Sequence, residues 1–235
     1  MSQKKYLIVG GSKGIGLGIV HRLNQAGHEV VVFSRSPGDL PQSSTVTHRS
    51  FDATSDELSK DDIPQGLSGV AYCPGSINLR SFRALKPEIF REDFELNVIG
   101  AVRVLQAAMG QLVDQPDPAS VVLFSTVAVG QGMFAHASIA AAKGAIEGLT
   151  RTLAAEMAPK VRFNCIAPAL TETPMTARFF SDPEKTKTMG EKYPLGRTGT
   201  VDDIADLAEF LLSPRSNWIT GQVIGVDGGM STLRK

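Results

Sequence analysis

The sequence predicts a single α/β domain over residues 1–235, built on a doubly wound parallel sheet of about seven strands with helices on both faces. Three observations predict it. Apolar runs of strand length recur along the whole chain, they do not alternate with polar residues, and segments with a helical apolar period separate them. Strands covered on both faces read as continuous hydrophobic runs, and strands alternating with helices form βαβ units. The apolar share of 42% in 235 residues is enough for a real core and argues against disorder.

The elements follow in order. "YLIVG" from Tyr6 is the first strand. Lysines precede it, as in a signal peptide, but the apolar run ends after a few residues at glycines. Ile15 to Gln25 has a helical period, and "EVVVFS" from Glu29 is the second strand. "SPGDLPQSS", Ser36 to Ser44, is the most loop-like stretch, and "STVTHRSFDAT", Ser44 to Thr54, is a weaker strand. "GVAYCPG" from Gly69, "SVVLFST" from Ser120, "VRFNCIAP" from Val161 and "QVIGVDGG" from Gln222 complete the sheet. Helical patterns lie at Phe90 to Leu112, Ala137 to Met157 and Val201 to Leu212. Ala169 to Gly196 lacks a periodic core face and follows a strand at its C-terminal end, so it is read as a lid or binding loop. No repeat and no Pro/Gly/Ser linker divides the chain.

Composition excludes several classes. Lys plus Arg equals Asp plus Glu at 24 each, which predicts no nucleic-acid or anionic-membrane partner. No segment approaches the ~18 consecutive apolar residues of a membrane span. Cys73 and Cys165 are far apart in mostly apolar context and read as reduced, packed thiols. A cytoplasmic protein is expected, with no metal site.

The chemistry begins at "LIVGGSKGIGLGIVHRL", where Gly10, Gly14 and Gly16 fall between the first strand and the first helix. Glycine lets backbone turn sharply and approach a pyrophosphate, which sits on the free N–H groups at a helix N-terminus. The strand–turn–helix context separates this from a chance glycine pattern. A site preferring NAD carries an acidic residue at the end of the second strand, for the ribose 2′-hydroxyl. Here stand Ser34 and Arg35, with Lys13 in the glycine turn, a set suited to the 2′-phosphate of NADP(H).

"GGSKGIG", Asn97 in "ELNVIG", "FST" at Phe124 to Thr126, Lys143 in "IAAAKGAIEGLTRTLAAE", "NCIAPALTETPM" and the C-terminal "PLGRTGTVDDIADLAEFLLSPRSNWITGQVIGVDGG" together resemble the short-chain dehydrogenase/reductase family across essentially the whole chain. The resemblance implies a Rossmann-type fold, a nicotinamide cofactor, a small-molecule substrate and a homotetramer, or else a homodimer. It places Gly10, Ser12, Gly14, Ile15 and Gly16 at the cofactor, with Lys13, Ser34 and Arg35 toward the 2′-phosphate. Asp52 and Ala53 match the adenine contacts, and Gly75 is retained in a "YCPG" that replaces the common Asn-Asn-Ala-Gly. Pro168, Ala169, Thr171 and Thr173 fall beside the nicotinamide, Ala169 replacing the usual glycine. The helix between the third and fourth strands is shortened to "SDELSKDDIPQGL".

For catalysis the resemblance implies that Lys143 holds the nicotinamide ribose, that Thr126 orients the substrate oxygen with Ser125 beside it, and that Asn97 joins a water relay to the lysine. The family's proton donor is a tyrosine four residues before the lysine. That position is Ile139, which carries no proton. His136, seven residues before Lys143, is the candidate substitute, since the enoyl-acyl carrier reductase branch places its tyrosine at that spacing and imidazole donates protons near neutral pH. The expectation is an NADP(H)-dependent reductase of a small or medium apolar carbonyl or conjugated enone. A non-catalytic NADP(H)-binding subunit is the alternative. Met133, Phe134, Met175, Phe179 and Phe180 are candidate pocket residues, Ser138 a local cap or packing residue, and Trp218 core or interface.

Overall fold

Seven parallel strands form one sheet in the order β3-β2-β1-β4-β5-β6-β7. The computed structural model describes residues 3–233. The strands are β1 (Lys5–Val9), β2 (Glu29–Ser34), β3 (Val46–Ser50), β4 (Leu67–Tyr72), β5 (Ala119–Phe124), β6 (Val161–Pro168) and β7 (Val223–Val226). All six predicted runs and the weaker third one are strands, because Val- and Ile-rich segments pack on both faces of a sheet.

Successive side chains leave a strand on opposite faces, and β1 shows what that does. Tyr6 and Ile8 join Ile19, Val20 and Leu23 of α1 (Gly14–Gln25) and Ile204, Ala208 and Leu211 of α7 (Val201–Leu212). Leu7 and Val9 face the other way. They join Val104, Leu105 and Ala108 of α3 (Gly100–Val113) and Ala142 and Ile146 of α5 (Ala137–Met157). Two helix layers therefore enclose a sheet that is apolar on both sides, as the unalternating runs require.

The helix predicted over Phe90 to Leu112 is longer, running from Pro87 to Val113. It comprises α2 (Pro87–Phe94), a π turn over Glu95–Ile99 and α3. It is long and apolar enough to cross a membrane, contrary to the sequence expectation, but half of its apolar window is buried within the fold, as in the core helix of a globular domain. Between β3 and β4 there is no α-helix, only a 3-10 turn over Lys60–Asp62 in which Ser59 and Asp62 cap each other. The expected lid contains α6 (Pro183–Gly190), capped by the Asp182 carboxylate on the N–H groups of Glu184 and Lys185. A single turn, α4 (Ala128–Gln131), follows β5. Trp218 is fully exposed, so the core reading of it is wrong. Ser138 caps nothing: His136 is the N-cap residue of α5, and Ser138 Oγ is buried without a partner.

One buried cation is structural. Arg162 on β6 donates from Nη2 to the carbonyls of Leu211 and Ser213, both at 3.1 Å, and from Nη1 to Ser216 Oγ and the Ile219 carbonyl. It thus satisfies orphan carbonyls at the C-terminus of α7 and favours the negative end of that helix. Arg162→Met should leave those carbonyls short of donors and lower stability by about 2–4 kcal/mol, read as a reduced urea midpoint at unchanged slope.

Candidate active site

The chain leaves β1 in one direction to build β2 and β3, and returns to its other side to build β4 to β7. A crevice opens at such a reversal, outside the C-terminal ends of the strands. Here it is a cavity of about 830 Å³. Gly10 turns with a φ of 73°, and a Cβ on Gly16 would stand 2.3 Å from the Gly10 carbonyl oxygen, so helix and turn approach as only bare backbone allows. No side chain caps the first turn of α1 and no acidic residue lies in it. Its N–H groups are therefore free for an anion. Thr173 abuts the same turn from the far side, 3.5 Å from where a Cβ on Gly14 would be.

Every residue expected at a cofactor lines this cavity, from Gly10, Ser12, Lys13, Gly14, Ile15 and Gly16 through Ser34, Arg35, Asp52, Ala53 and Gly75 to Lys143, Pro168, Ala169, Thr171 and Thr173. Lys13 and Arg35 are exposed at its rim. Ser34 is buried, and its hydroxyl donates to the Ser36 carbonyl at 2.9 Å and meets His48 Nε2 at 3.1 Å, so it is already engaged. The Asp52 carboxyl is held below its ordinary value, chiefly by the Thr54 hydroxyl at 2.7 Å and its N–H at 2.9 Å, with a smaller push from Arg35.

Of the catalytic candidates, Thr126, His136 and Lys143 stand on the cavity wall; Asn97 lies behind it, 1% exposed. Lys143 is buried, and neither a carboxylate nor a hydrogen-bond acceptor reaches its Nζ among the described residues. Burial pushes its pKa down to about 8, against weaker support from Cys165, Cys73 and Asp93. A Cβ on Gly75 would stand 3.5 Å from Asn97 Oδ1 and 3.6 Å from Lys143 Nζ, so both polar atoms converge on one strip of backbone. Asn97 Oδ1 has no partner either. An ammonium and an amide oxygen left unpaired beside a phosphate-ready helix fit the ribose hydroxyls of a nicotinamide dinucleotide. Ile139, one turn before Lys143, is buried and lines the cavity. His136 donates from Nδ1 to the Phe134 carbonyl at 2.7 Å, which leaves Nε2 for a ligand.

The sequence reading missed some residues. Ser76, Asn78 and Asp93 form a hydrogen-bonded group behind Gly75, and Met189, Tyr193 and Met230 line the apolar end of the cavity with Met133, Met175 and Phe179. Phe134 and Phe180 do not line it. Ser125, considered beside Thr126 for the substrate oxygen, donates instead to Glu147 Oε1 at 2.7 Å.

The chain is similar to known proteins in sequence and in fold. The family model described as enoyl-(acyl carrier protein) reductase matches residues 9–231. L-xylulose reductase of Bos taurus is 32% identical over 97% of each chain. The chain belongs to the short-chain dehydrogenase/reductase family. Another relative, carbonyl reductase [NADPH] 2 of Sus scrofa, is 29% identical over 95% of this chain and 94% of its own. A solved short-chain type dehydrogenase/reductase from Mycobacterium ulcerans superposes with a TM-score of 0.87 at 29% identity, covering 100% of this chain and 92% of its own. The seven-stranded Rossmann-type sheet is thus the fold of this oxidoreductase family.

Because Lys143 is charged and unpartnered in the free protein, it works against folding. Its pKa of about 8 lies below the ordinary lysine value, so the folded chain releases the proton first and stability climbs from about pH 8 toward 10.5. Lys143→Met should raise the free protein's unfolding free energy at pH 7 by about 2–3 kcal/mol and flatten that climb, measured by urea titration across pH.

Proposed function

We propose that this protein is an NADP(H)-dependent reductase of a small or medium apolar carbonyl or conjugated enone, with proton transfer handled by His136 in place of the family's tyrosine. One observation carries the reading: a single cavity joins the open N-terminus of α1, the unpaired Lys143 and an apolar end lined by Met133, Met175, Phe179 and Met230. Lys13 and Arg35 at the rim would grip the 2′-phosphate, and no acidic residue stands in the position that selects the 2′-hydroxyl. The [NADPH] in the name of the Sus scrofa relative supports that preference. The enoyl-(acyl carrier protein) reductase family model supports the enone arm.

When bound, reduced nicotinamide supplies hydride to the substrate carbon. The protein's own residues do the rest. Lys143 holds the ribose hydroxyls, and Asn97 orders the polar interior behind it. The Thr126 hydroxyl donates to the substrate oxygen, where charge develops as alkoxide or enolate. His136, protonated at Nε2, delivers the proton to that oxygen or, through the enol, to carbon. In this reading the chain works in the cytoplasm as a homotetramer, and the wholly exposed Trp218, on the turn leading to β7, supports a subunit contact there. Ile139, buried where the family's tyrosine would stand, favours a second reading, a subunit that binds NADP(H) without turnover.

Two experiments test these points. Arg35→Ala should weaken NADPH binding by about 10–100-fold while leaving NADH nearly unchanged, by fluorescence titration; equal losses for both would defeat the 2′-phosphate assignment. Single-turnover reduction of a carbonyl and enone panel should reveal a rate that declines as an imidazolium donor loses its proton with rising pH. His136→Ala should lower that rate by about 10²–10⁴-fold and remove the decline. Binding with no hydride transfer to any member would favour the non-catalytic subunit.

A further inference from the structure

Lys143 faces one buried carboxylate, and the catalytic reading leaves it unused. Asp93 on α2 is 1% exposed. Its Oδ1 accepts from Ser76 Oγ at 2.5 Å and from Asn78 Nδ2 at 2.8 Å, and its Oδ2 has no partner. Asn97 Nδ2 donates to Ser76 Oγ at 3.1 Å and to the Asp93 carbonyl at 2.7 Å, which ties the group together. Asn97 Oδ1 and Lys143 Nζ both lie beside Gly75, 3.5 and 3.6 Å from where a Cβ on it would stand. Three polar groups thus end unpaired in one buried region: a carboxylate oxygen, an amide oxygen and an ammonium.

We propose that Asp93 is the buried counter-charge of Lys143, a positioning residue that acts through Ser76 and Asn97 to keep the ammonium protonated for the cofactor ribose. Two neutral donors sit on one oxygen of this carboxylate and none on the other, so one acceptor is left over inside the fold. Lys143 is the buried cation left to answer it among the described residues, since the other, Arg162, is spent on the carbonyls at the end of α7. In the family's usual arrangement the lysine shares its neighbourhood with a tyrosine, whose place here is taken by Ile139. An anionic group nearby favours the protonated lysine, and Asp93 supplies that group from α2. Besides Asp93, the titratable groups that act on Lys143 are Cys73, after β4, and Cys165, on β6. Burial pushes both thiols up to about 12, so they stay neutral where the lysine titrates and cannot replace the carboxylate.

The proposal rests on Lys143 as the ribose ligand, but its test needs no cofactor. Unfolding free energies of the free protein are measured from pH 6 to 10 for the wild type, Lys143→Met, Asp93→Asn and the double variant. The wild type minus Lys143→Met isolates the lysine and should rise with a lower midpoint near pH 8, the two thiols cancelling in the difference. Asp93→Asn minus the double variant should rise from a midpoint about one pH unit lower, because the folded lysine loses its proton sooner without the carboxylate. Superimposable difference curves would overturn the proposal. Should Asp93→Asn fail to fold, Asp93→Ser, alone and with Lys143→Met, provides the same comparison, with a shift in the same direction expected and no shift overturning it. NADPH titrations on the folded variants add an independent readout. A counter-charge loses affinity most at pH 8 and little at pH 6, whereas a merely structural residue loses it equally at both.

Discussion

The ammonium of Lys143 is carried into the interior by α5, and no hydrogen-bond acceptor among the described residues reaches it there. Removing a cation from water costs several kcal/mol unless something repays the lost hydration. The protein's answer is to build a polar pocket around the charge and leave it incomplete. Asn97 Oδ1 is aimed at the same strip of backbone, Gly75 offers no side chain to fill it, and Asp93 stands behind with an oxygen to spare. What completes the pocket is a ligand with hydroxyl groups. A fold that carries this unmet charge binds its ligand partly by relieving its own strain, and gains stability in proportion to occupancy.

Much of the architecture serves that arrangement. Asn97 reaches the pocket from the π turn that interrupts the helix from Pro87 to Val113, and such a turn inserts one extra residue where an unbroken helix would rotate the side chain elsewhere. Gly75 arrives three residues beyond β4, which pairs with β1 in parallel register from Tyr6 opposite Gly69 to Val9 opposite Tyr72. The same pairing sets the phosphate turn after β1 beside the polar pocket after β4. The sheet thus fixes the distance between the two ends of a dinucleotide site before any ligand is present, and the loops need only finish it.

The parts legible in the sequence are those governed by local rules. Six strands could be read because burial on both faces makes them continuous apolar runs, and the glycine turn because its context of strand and helix is itself local. Periodicity missed α6, which has almost no apolar face; the Asp182-Pro183 pair that caps it was the available signal. The shortened segment before β4 was visible, but not its 3-10 turn. Ser76, Asn78 and Asp93 left no trace, because a serine and an asparagine after a strand and an aspartate in a charged helix look like solvated residues until the fold buries them together. Ser125 and Thr126 are adjacent in sequence and both line the cavity, and only packing reveals that Glu147 takes the hydroxyl of the first.

The turn before α5 sets the orientation of the His136 ring. Ala135 has a left-handed φ of 66°, a conformation that costs an alanine about 1–3 kcal/mol and persists only when its surroundings impose it. The Arg80 N–H holds the Ala135 carbonyl at 3.2 Å, and the next residue is His136. The ring of His136 is then pinned by Nδ1 to the Phe134 carbonyl, which accepts only, so the neutral ring presents Nε2 as a lone pair and the charged ring presents it as N–H. One atom can therefore take a proton or give one without moving the ring. Ile139, three residues further in, is buried and offers only carbon to the cavity. Under the proposed chemistry this divides the work along α5: Lys143 is tuned from behind for the ribose, while His136 stands nearer the mouth, where solvent can restore its proton between turnovers.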